Sequence, residues 1–269
     1  MSVCTLSSLL PTVREAGRAA MAIYERGCDV RHKADDTPVT EADLAVDRIL
    51  VPAIEAAFPA TPVVSEERAG SFDRATGAAR FVLVDPIDGT KEFIKRTGEF
   101  TINVALIAGG APVAGIVYAP AAGRMFIGDA SGFAHEHCDK GARTALSVRD
   151  CADRDLVAVA SRSHLTEATR GFLRDHAIDD CVNAGSSLKF CLLAAGEADI
   201  YPRFGPTMEW DTAAGDAVLR AAGGMVLTAD GKPLAYGKPG FANPDFIACS
   251  PGARRRCRLG GDDRAVSAA

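Results

Sequence analysis

One stretch constrains the fold of this chain more than any other: Phe81 to Phe93, reading FVLVDPIDGTKEF. Phe81 to Val84 is apolar and β-prone, long enough for a buried strand that ends at Asp85, and Pro86 then stops the ladder. Asp85 and Asp88 are left on a short loop. Gly89 supplies a tight turn there, and Thr90 opens a helix through Lys91, Glu92 and Phe93. Two carboxylates held together at such a junction repel each other and lose solvation, a cost that a divalent cation offsets. The free N–H groups of Gly89 and Thr90 form the complementary half, a seat for an anion. A cation on one side and phosphate on the other is the chemistry of metal-assisted phosphate hydrolysis. Asp-Pro and Asp-Gly are also everyday turn chemistry, so the stretch by itself leaves an ordinary turn open.

The rest of the chain bounds the choice. Its 269 residues suit one large domain or two ordinary ones, and 48% hydrophobic content is ample for a core. A net charge of −5 argues against a nucleic-acid binder, yet not against a small phosphorylated substrate, because bound cations invert the local field. The 8 cysteines form no C-x-x-C pair, which fits neither a zinc site nor a disulfide framework. Reduced thiols in a cytoplasmic protein are expected. No basic segment followed by an apolar run opens the chain, and nowhere do about 18 apolar residues stand in a row. A soluble intracellular protein with no integral membrane segment follows as the expectation.

Leu6, Leu9, Leu10, Val13, Ala16, Ala20 and Tyr24 recur at helical steps and predict an amphipathic helix ending near Gly27. Asp29 to Pro38 reads as a loop. A second helix starts near Thr40 with the spacing of a capping box to Asp43, and Pro52 is expected to kink or interrupt it. Pro62 to Ser65 predicts a short strand that delivers Glu66 and Glu67. Strand-like runs follow at Thr101 to Ile107, Val113 to Tyr118, Met125 to Gly128 and Phe133 to His135, with the Gly and Pro punctuation of an antiparallel meander. Beyond a polar segment at Arg149 to Asp155, strands and helices alternate. The expected division is an α+β unit over 1–150 with most of the acidic candidates, an α/β unit over 151–250, and a flexible Arg-rich tail over 251–269. In the second unit Asp211 stands where a loop becomes a helix, as an N-cap would. The tail reads as a solvated end, with weak attraction to an anionic membrane surface as the alternative.

Three elements in one chain are more specific than any of them: VVSEE ending at Glu67, DPIDGT from Asp85, and WDTAAGDA from Trp210. Over roughly residues 10 to 250 the chain resembles the lithium-sensitive, magnesium-dependent phosphatases that include inositol monophosphatase. DGTKEFIKRTGEFT, SRSH, GSSLKFC and YPRFGPT are similar to the 3′(2′),5′-bisphosphate nucleotidases within that family. The resemblance implies an α/β fold of alternating helix and sheet layers. It implies that Glu66, Asp85, Asp88, Asp211 and the Ile87 carbonyl hold two or three Mg²⁺, with Li⁺ as an inhibitor, an oxygen donor set that suits this cation. It places Asp43, in a third-metal or water-activating role, and Thr90, with Glu66, around the attacking water, and the scissile phosphate on Asp88, Gly89 and Thr90.

Water would then attack phosphorus in line, with no covalent enzyme intermediate. A second phosphate needs a cation away from the metals. Lys189 and Arg203 are the residues expected to meet it, with Ser186, His164 and Asp211 contacting the rest of the nucleotide. The implied reaction removes the 3′-phosphate of adenosine 3′,5′-bisphosphate, and of its sulfated relative, giving AMP in a step linked to sulfate assimilation. The alternatives are an inositol phosphate phosphatase and a nucleotide or cation sensor without turnover. The expected location is cytoplasmic, with peripheral contact at the inner membrane as a variant, and the expected state is a monomer or homodimer.

Overall fold

The computed structural model describes residues 5–27, 30–32, 38–75, 77–151, 154–161 and 165–260. Helix α1 (Leu10–Arg26) is followed by an antiparallel pair, β1 (Val30–His32) with β2 (Pro38–Thr40), and then by α2 (Glu41–Ala57). Part of the expected Asp29–Pro38 loop is thus paired; Lys33, Asp35 and Asp36 lie outside the described residues. The Thr40 hydroxyl accepts the Ala42 N–H at 3.1 Å while Asp43 Oδ2 takes the Thr40 N–H at 2.8 Å, so the capping box forms as its spacing predicts. Pro52 does not interrupt α2. It sits on the exposed side of the helix, where water can serve the carbonyl that lacks its amide partner.

The next segments are β3 (Val63–Ser65), α3 (Phe72–Ala75), β4 (Arg80–Asp88), α4 (Thr90–Ile94) and the meander β5 (Thr101–Ala108), β6 (Ala111–Ala119), β7 (Arg124–Asp129), β8 (Ala134–Cys138) and β9 (Arg143–Ala145). They form one seven-stranded sheet in chain order from β3 to β9, antiparallel except for the β3–β4 pair. β9 is exposed throughout and carries no apolar alternation, so the sequence pattern misses it. A second, mixed sheet has the order β11-β10-β12-β14-β13. It is built from β10 (Val157–Ala160), α5 (Glu167–Asp175), β11 (Asp180–Asn183), α6 (Leu188–Ala194), β12 (Ile200–Arg203), α7 (Glu209–Ala221), β13 (Met225–Thr228) and β14 (Phe246–Cys249). The arginines expected in a flexible tail begin instead in α8 (Pro251–Arg256), because Ala253 on that helix and Cys257 just after it are buried against the second sheet. Only 261–269 of that expected tail falls outside the described residues.

Side-chain alternation stacks these elements in five layers. Val82 and Val84 of β4 face one core with α1 and α2, whereas Phe81 and Leu83 face another with α6 and α7. Phe246 and Ala248 of β14 join that second core from the far side; Ile247 and Cys249 turn outward toward α5 and α8. Helices α6 and α7 are therefore enclosed between the two sheets. The approach of α7 is close: a Cβ on Gly115 would lie 2.4 Å from the Ala214 carbonyl oxygen, and one on Gly128 would lie 2.6 Å from the Val218 Cα. The Ala-Ala-Gly run of this helix suits such a fit. Among the described residues the cysteines are free thiols, and no helix is long and apolar enough to cross a membrane.

Candidate active site

The strand carrying Asp85 does not end there. β4 runs on to Asp88, pairing Asp85 with Asn103 and Asp88 with Thr101, so three steps on β4 match two on β5. This bulge absorbs Pro86, which has no N–H for the ladder. Gly89 follows at φ +90°, and a Cβ there would lie 2.2 Å from the Ser186 hydroxyl. α4 then begins at Thr90, whose Oγ1 donates to the Ile87 carbonyl at 3.3 Å.

Two other segments bring acidic groups to this point. The Glu66 N–H bonds the Val84 carbonyl at 3.2 Å, which sets Glu66 beside Asp85. The turn holding it is fastened to α2, where Asp47 accepts the Ser65 hydroxyl at 2.6 Å and Arg68 Nε at 2.7 Å. Asp211 belongs to the first turn of α7, which starts at Glu209 rather than after Asp211. It is therefore not the N-cap; its Oδ2 reaches back to the Met208 N–H at 2.8 Å. Trp210 stacks on Phe72 with ring centres 5.3 Å apart, tying the segment after Glu66 to the start of α7.

Glu66, Asp85, Ile87, Asp88, Gly89, Thr90, Ser186, Lys189, Arg203 and Asp211 line one cavity of about 500 Å³. Asp43, 2% exposed, is not among its lining residues; it lies behind the wall, within the field of Glu66 and Glu67. His164 lies outside the described residues. Sequence reasoning assigns no site role to Ser187, Asn103, Tyr201 or Glu209, because what each does depends on partners far along the chain.

The electrostatics of this wall favour a cation. Burial, reinforced by Glu66, Asp88, Asp211 and Asp43, drives the Asp85 carboxyl well above its usual range, and its Oδ1 is buried without a hydrogen-bond partner among the described residues. Asp43 is pushed up to about 7, chiefly by burial and against the bonds from Thr40. Burial also raises Asp88, against the charge of Lys189 and the bonds from Ser187 and Asn103, and drives Asp211 well above its usual range, with Asp88 adding to the rise. Among the described residues no three acidic, histidine or cysteine side chains are gathered into a finished metal cage. The donors instead line one wall. Their all-oxygen chemistry and the orphaned Asp85 oxygen fit a hard divalent cation such as Mg²⁺.

Two cations line the same cavity, Lys189 within the field of Asp88 and Arg203 within that of Asp211. Lys189 Nζ is buried, bonds the Ser186 carbonyl at 2.6 Å and lies 5.3 Å from the centre of the Tyr201 ring. Burial pulls its pKa down to about 8 against the attraction of Asp88, with Arg203 adding to the fall. Arg203 bonds the Pro206 carbonyl through Nη2 at 3.0 Å, while its buried Nε has no partner among the described residues.

The sequence that builds this fold and cavity matches a known family model. The inositol monophosphatase family model covers residues 5–253. The chain belongs to the inositol monophosphatase family. Among curated relatives, 3′(2′),5′-bisphosphate nucleotidase CysQ of Escherichia coli K12 is 44% identical over 244 residues, 90% of this chain and 98% of that protein. The protein of the same name from Buchnera aphidicola is 38% identical over 251 residues, 90% of this chain and 92% of its own length. Among solved structures, CysQ from Bacteroides thetaiotaomicron superposes with a TM-score of 0.75 at 38% identity, covering 89% of this chain and 94% of that one. The layered fold expected from the resemblance is thus the fold this inositol monophosphatase family member adopts.

Proposed function

We propose that this protein is a Mg²⁺-dependent 3′(2′),5′-bisphosphate nucleotidase that hydrolyses the 3′-phosphate of adenosine 3′,5′-bisphosphate to AMP and phosphate, and acts on the 5′-sulfated analogue as well. The observation that carries the reading is a single cavity lined both by acidic Glu66, Asp85, Asp88 and Asp211 and by cationic Lys189 and Arg203. A monophosphorylated polyol has no use for the second charge cluster, whereas a bisphosphate needs both. The curated relatives named above carry this activity in their names.

Glu66, Asp85, Asp88, Asp211 and the Ile87 carbonyl would hold two or three Mg²⁺, with Li⁺ as the expected inhibitor. Those ions, when bound, supply positive charge to the phosphoryl oxygens and ease deprotonation of a water. The chain's own residues do the rest. Asp88 and the Gly89 and Thr90 N–H groups orient the scissile phosphate. Asp43, whose Oδ2 is engaged by Thr40, would take up the proton of the attacking water on its other oxygen, and Glu66 and Thr90 would orient that water. Lys189 and Arg203 hold the distal phosphate, with Ser186 beside them and Tyr201 closing the apolar side, so the leaving 3′ oxygen is kept in line.

Mg²⁺-dependent phosphate release tests this across adenosine 3′,5′-bisphosphate, its sulfated analogue, AMP and inositol 1-phosphate, with and without Li⁺. The adenosine bisphosphate should lead the panel. Equal or faster release from inositol 1-phosphate would move the assignment to the inositol phosphate branch, and binding without release would make the protein a sensor.

A further inference from the structure

Ser187 is 1% exposed and does not line the cavity, yet it bonds both of the acidic arms that do. Its N–H donates to Asp88 Oδ2 at 2.6 Å. Its hydroxyl donates to the main-chain carbonyl of Asp211 at 2.6 Å and accepts the Asn103 side-chain amide at 2.9 Å. Asn103 in turn reaches Asp88 Oδ2 at 3.3 Å. The hydroxyl proton is thus committed to Asp211 and a lone pair to Asn103, which leaves Ser187 one arrangement rather than several.

We propose that Ser187 is a positioning residue that sets the spacing between Asp88 and Asp211 and so tunes cation binding, an inference resting on the Mg²⁺ reading above. Asp88 comes from the seven-stranded sheet and Asp211 from α7, more than a hundred residues later. Ser187 sits at the start of α6 and is bonded to both, with β5 joined through Asn103. The bonds also choose which oxygens remain for a ligand. Asp88 Oδ2 is occupied by Ser187 and Asn103, and Asp211 Oδ2 by Met208, so in each carboxylate the oxygen left over is Oδ1. Mg²⁺ tolerates little departure from octahedral geometry at about 2.0–2.1 Å, so small changes in the Asp88–Asp211 spacing cost affinity. Groups that orient metal ligands without touching the metal commonly govern about 10- to 100-fold in affinity.

Ser187→Ala keeps the main-chain N–H bond to Asp88 but removes the link to Asp211 and the acceptor for Asn103. Ser187→Thr keeps the hydroxyl. Three measurements are made on the full chain: Mg²⁺ affinity by calorimetry, melting temperature in chelator and in saturating Mg²⁺, and kcat and KM on adenosine 3′,5′-bisphosphate. The expected result for Ser187→Ala is a Mg²⁺ affinity about 10-fold weaker, a smaller Mg²⁺-induced rise in melting temperature, and a kcat that recovers as Mg²⁺ is raised. Affinity should return in Ser187→Thr. Wild-type Mg²⁺ affinity in Ser187→Ala, with melting temperature lowered equally in chelator and in Mg²⁺, would overturn the proposal by showing a purely structural serine. A wild-type protein that neither takes up Mg²⁺ nor melts higher in it would overturn the metal reading itself, a result distinct from the first.

Discussion

Asp85 and Asp88 stand three residues apart in one strand and yet look out of the same face of the sheet. In a regular strand an odd separation sends side chains to opposite faces. Here Asp85 pairs with Asn103 and Asp88 with Thr101, residues two apart, and the extra residue at Pro86 restores the match. Both carboxylates therefore face α6 and α7, the side from which Ser187 and Asp211 arrive. Asp88→Asn keeps the shape and the bond from the Ser187 N–H but halves the charge the pair can offer a cation. Turnover should fall on the order of 100-fold or more, the upper end of what disturbing a metal site costs. Circular dichroism should be unchanged. Undiminished phosphate release would remove Asp88 from the site.

Gly89→Ala tests the tight turn. At φ +90° a side chain is strained by about 1–2 kcal/mol, and its Cβ would press on the Ser186 hydroxyl. Gly132 offers a control: its φ is +85°, and a Cβ there would meet no atom within 4 Å. Gly132→Ala should lower the melting temperature by a few degrees and leave turnover intact. Gly89→Ala should lower both. Equal losses in the two variants would mean that Ser186 yields and the contact is unimportant.

Much of this site was legible because its signals are local. Thr40 and Asp43 announce their capping box by spacing, and the Gly and Pro positions punctuate the meander. Pro86 misled for an equally local reason: proline halts a ladder unless a bulge spares it the missing bond, and pairing to Asn103 and Thr101 is invisible along the chain. The arginines after Pro251 resembled a solvated end because nothing nearby shows that Ala253 and Cys257 cover the second sheet. Ser187, Asn103 and Glu209 were unreadable since each takes its role from residues tens of positions away.

Asp199 links pH to stability. It is buried, receives two bonds from Arg149 at 2.7 and 2.8 Å, one from Arg154 at 3.0 Å and the Val157 N–H at 2.7 Å. Burial pushes its carboxyl up, but those bonds and charges outweigh it and leave the pKa below the ordinary 3.8. The folded form thus binds its proton less readily than the unfolded chain. The stabilisation is complete above the unfolded value and is lost as pH falls through the depressed folded one. Urea titrations of wild type and Asp199→Asn should differ most at neutral pH and converge below about pH 4. A gap independent of pH would show that charge is not what Asp199 contributes.

Glu209 should prove a buried anchor for the helix that presents Asp211. It is fully buried, accepts the N–H groups of Gly237 at 2.7 Å and Lys238 at 2.9 Å, and pairs with the Lys238 ammonium at 2.7 Å. The loop it grips also reaches α7 through Asn243, whose amide donates to the Met208 carbonyl at 2.8 Å. Removing one partner of a buried charged set leaves the others unsatisfied, at a cost of about 3–5 kcal/mol. Glu209→Ala should therefore melt well below wild type, whereas Glu209→Gln, which can still accept one N–H, should recover part of the loss. Because Asp211 lies two residues on, in the same helical turn, Glu209→Gln should also weaken Mg²⁺ binding measured by calorimetry below its unfolding range. Full Mg²⁺ affinity alongside reduced stability would confine Glu209 to holding the loop and leave Asp211 positioned by Met208 and Ser187.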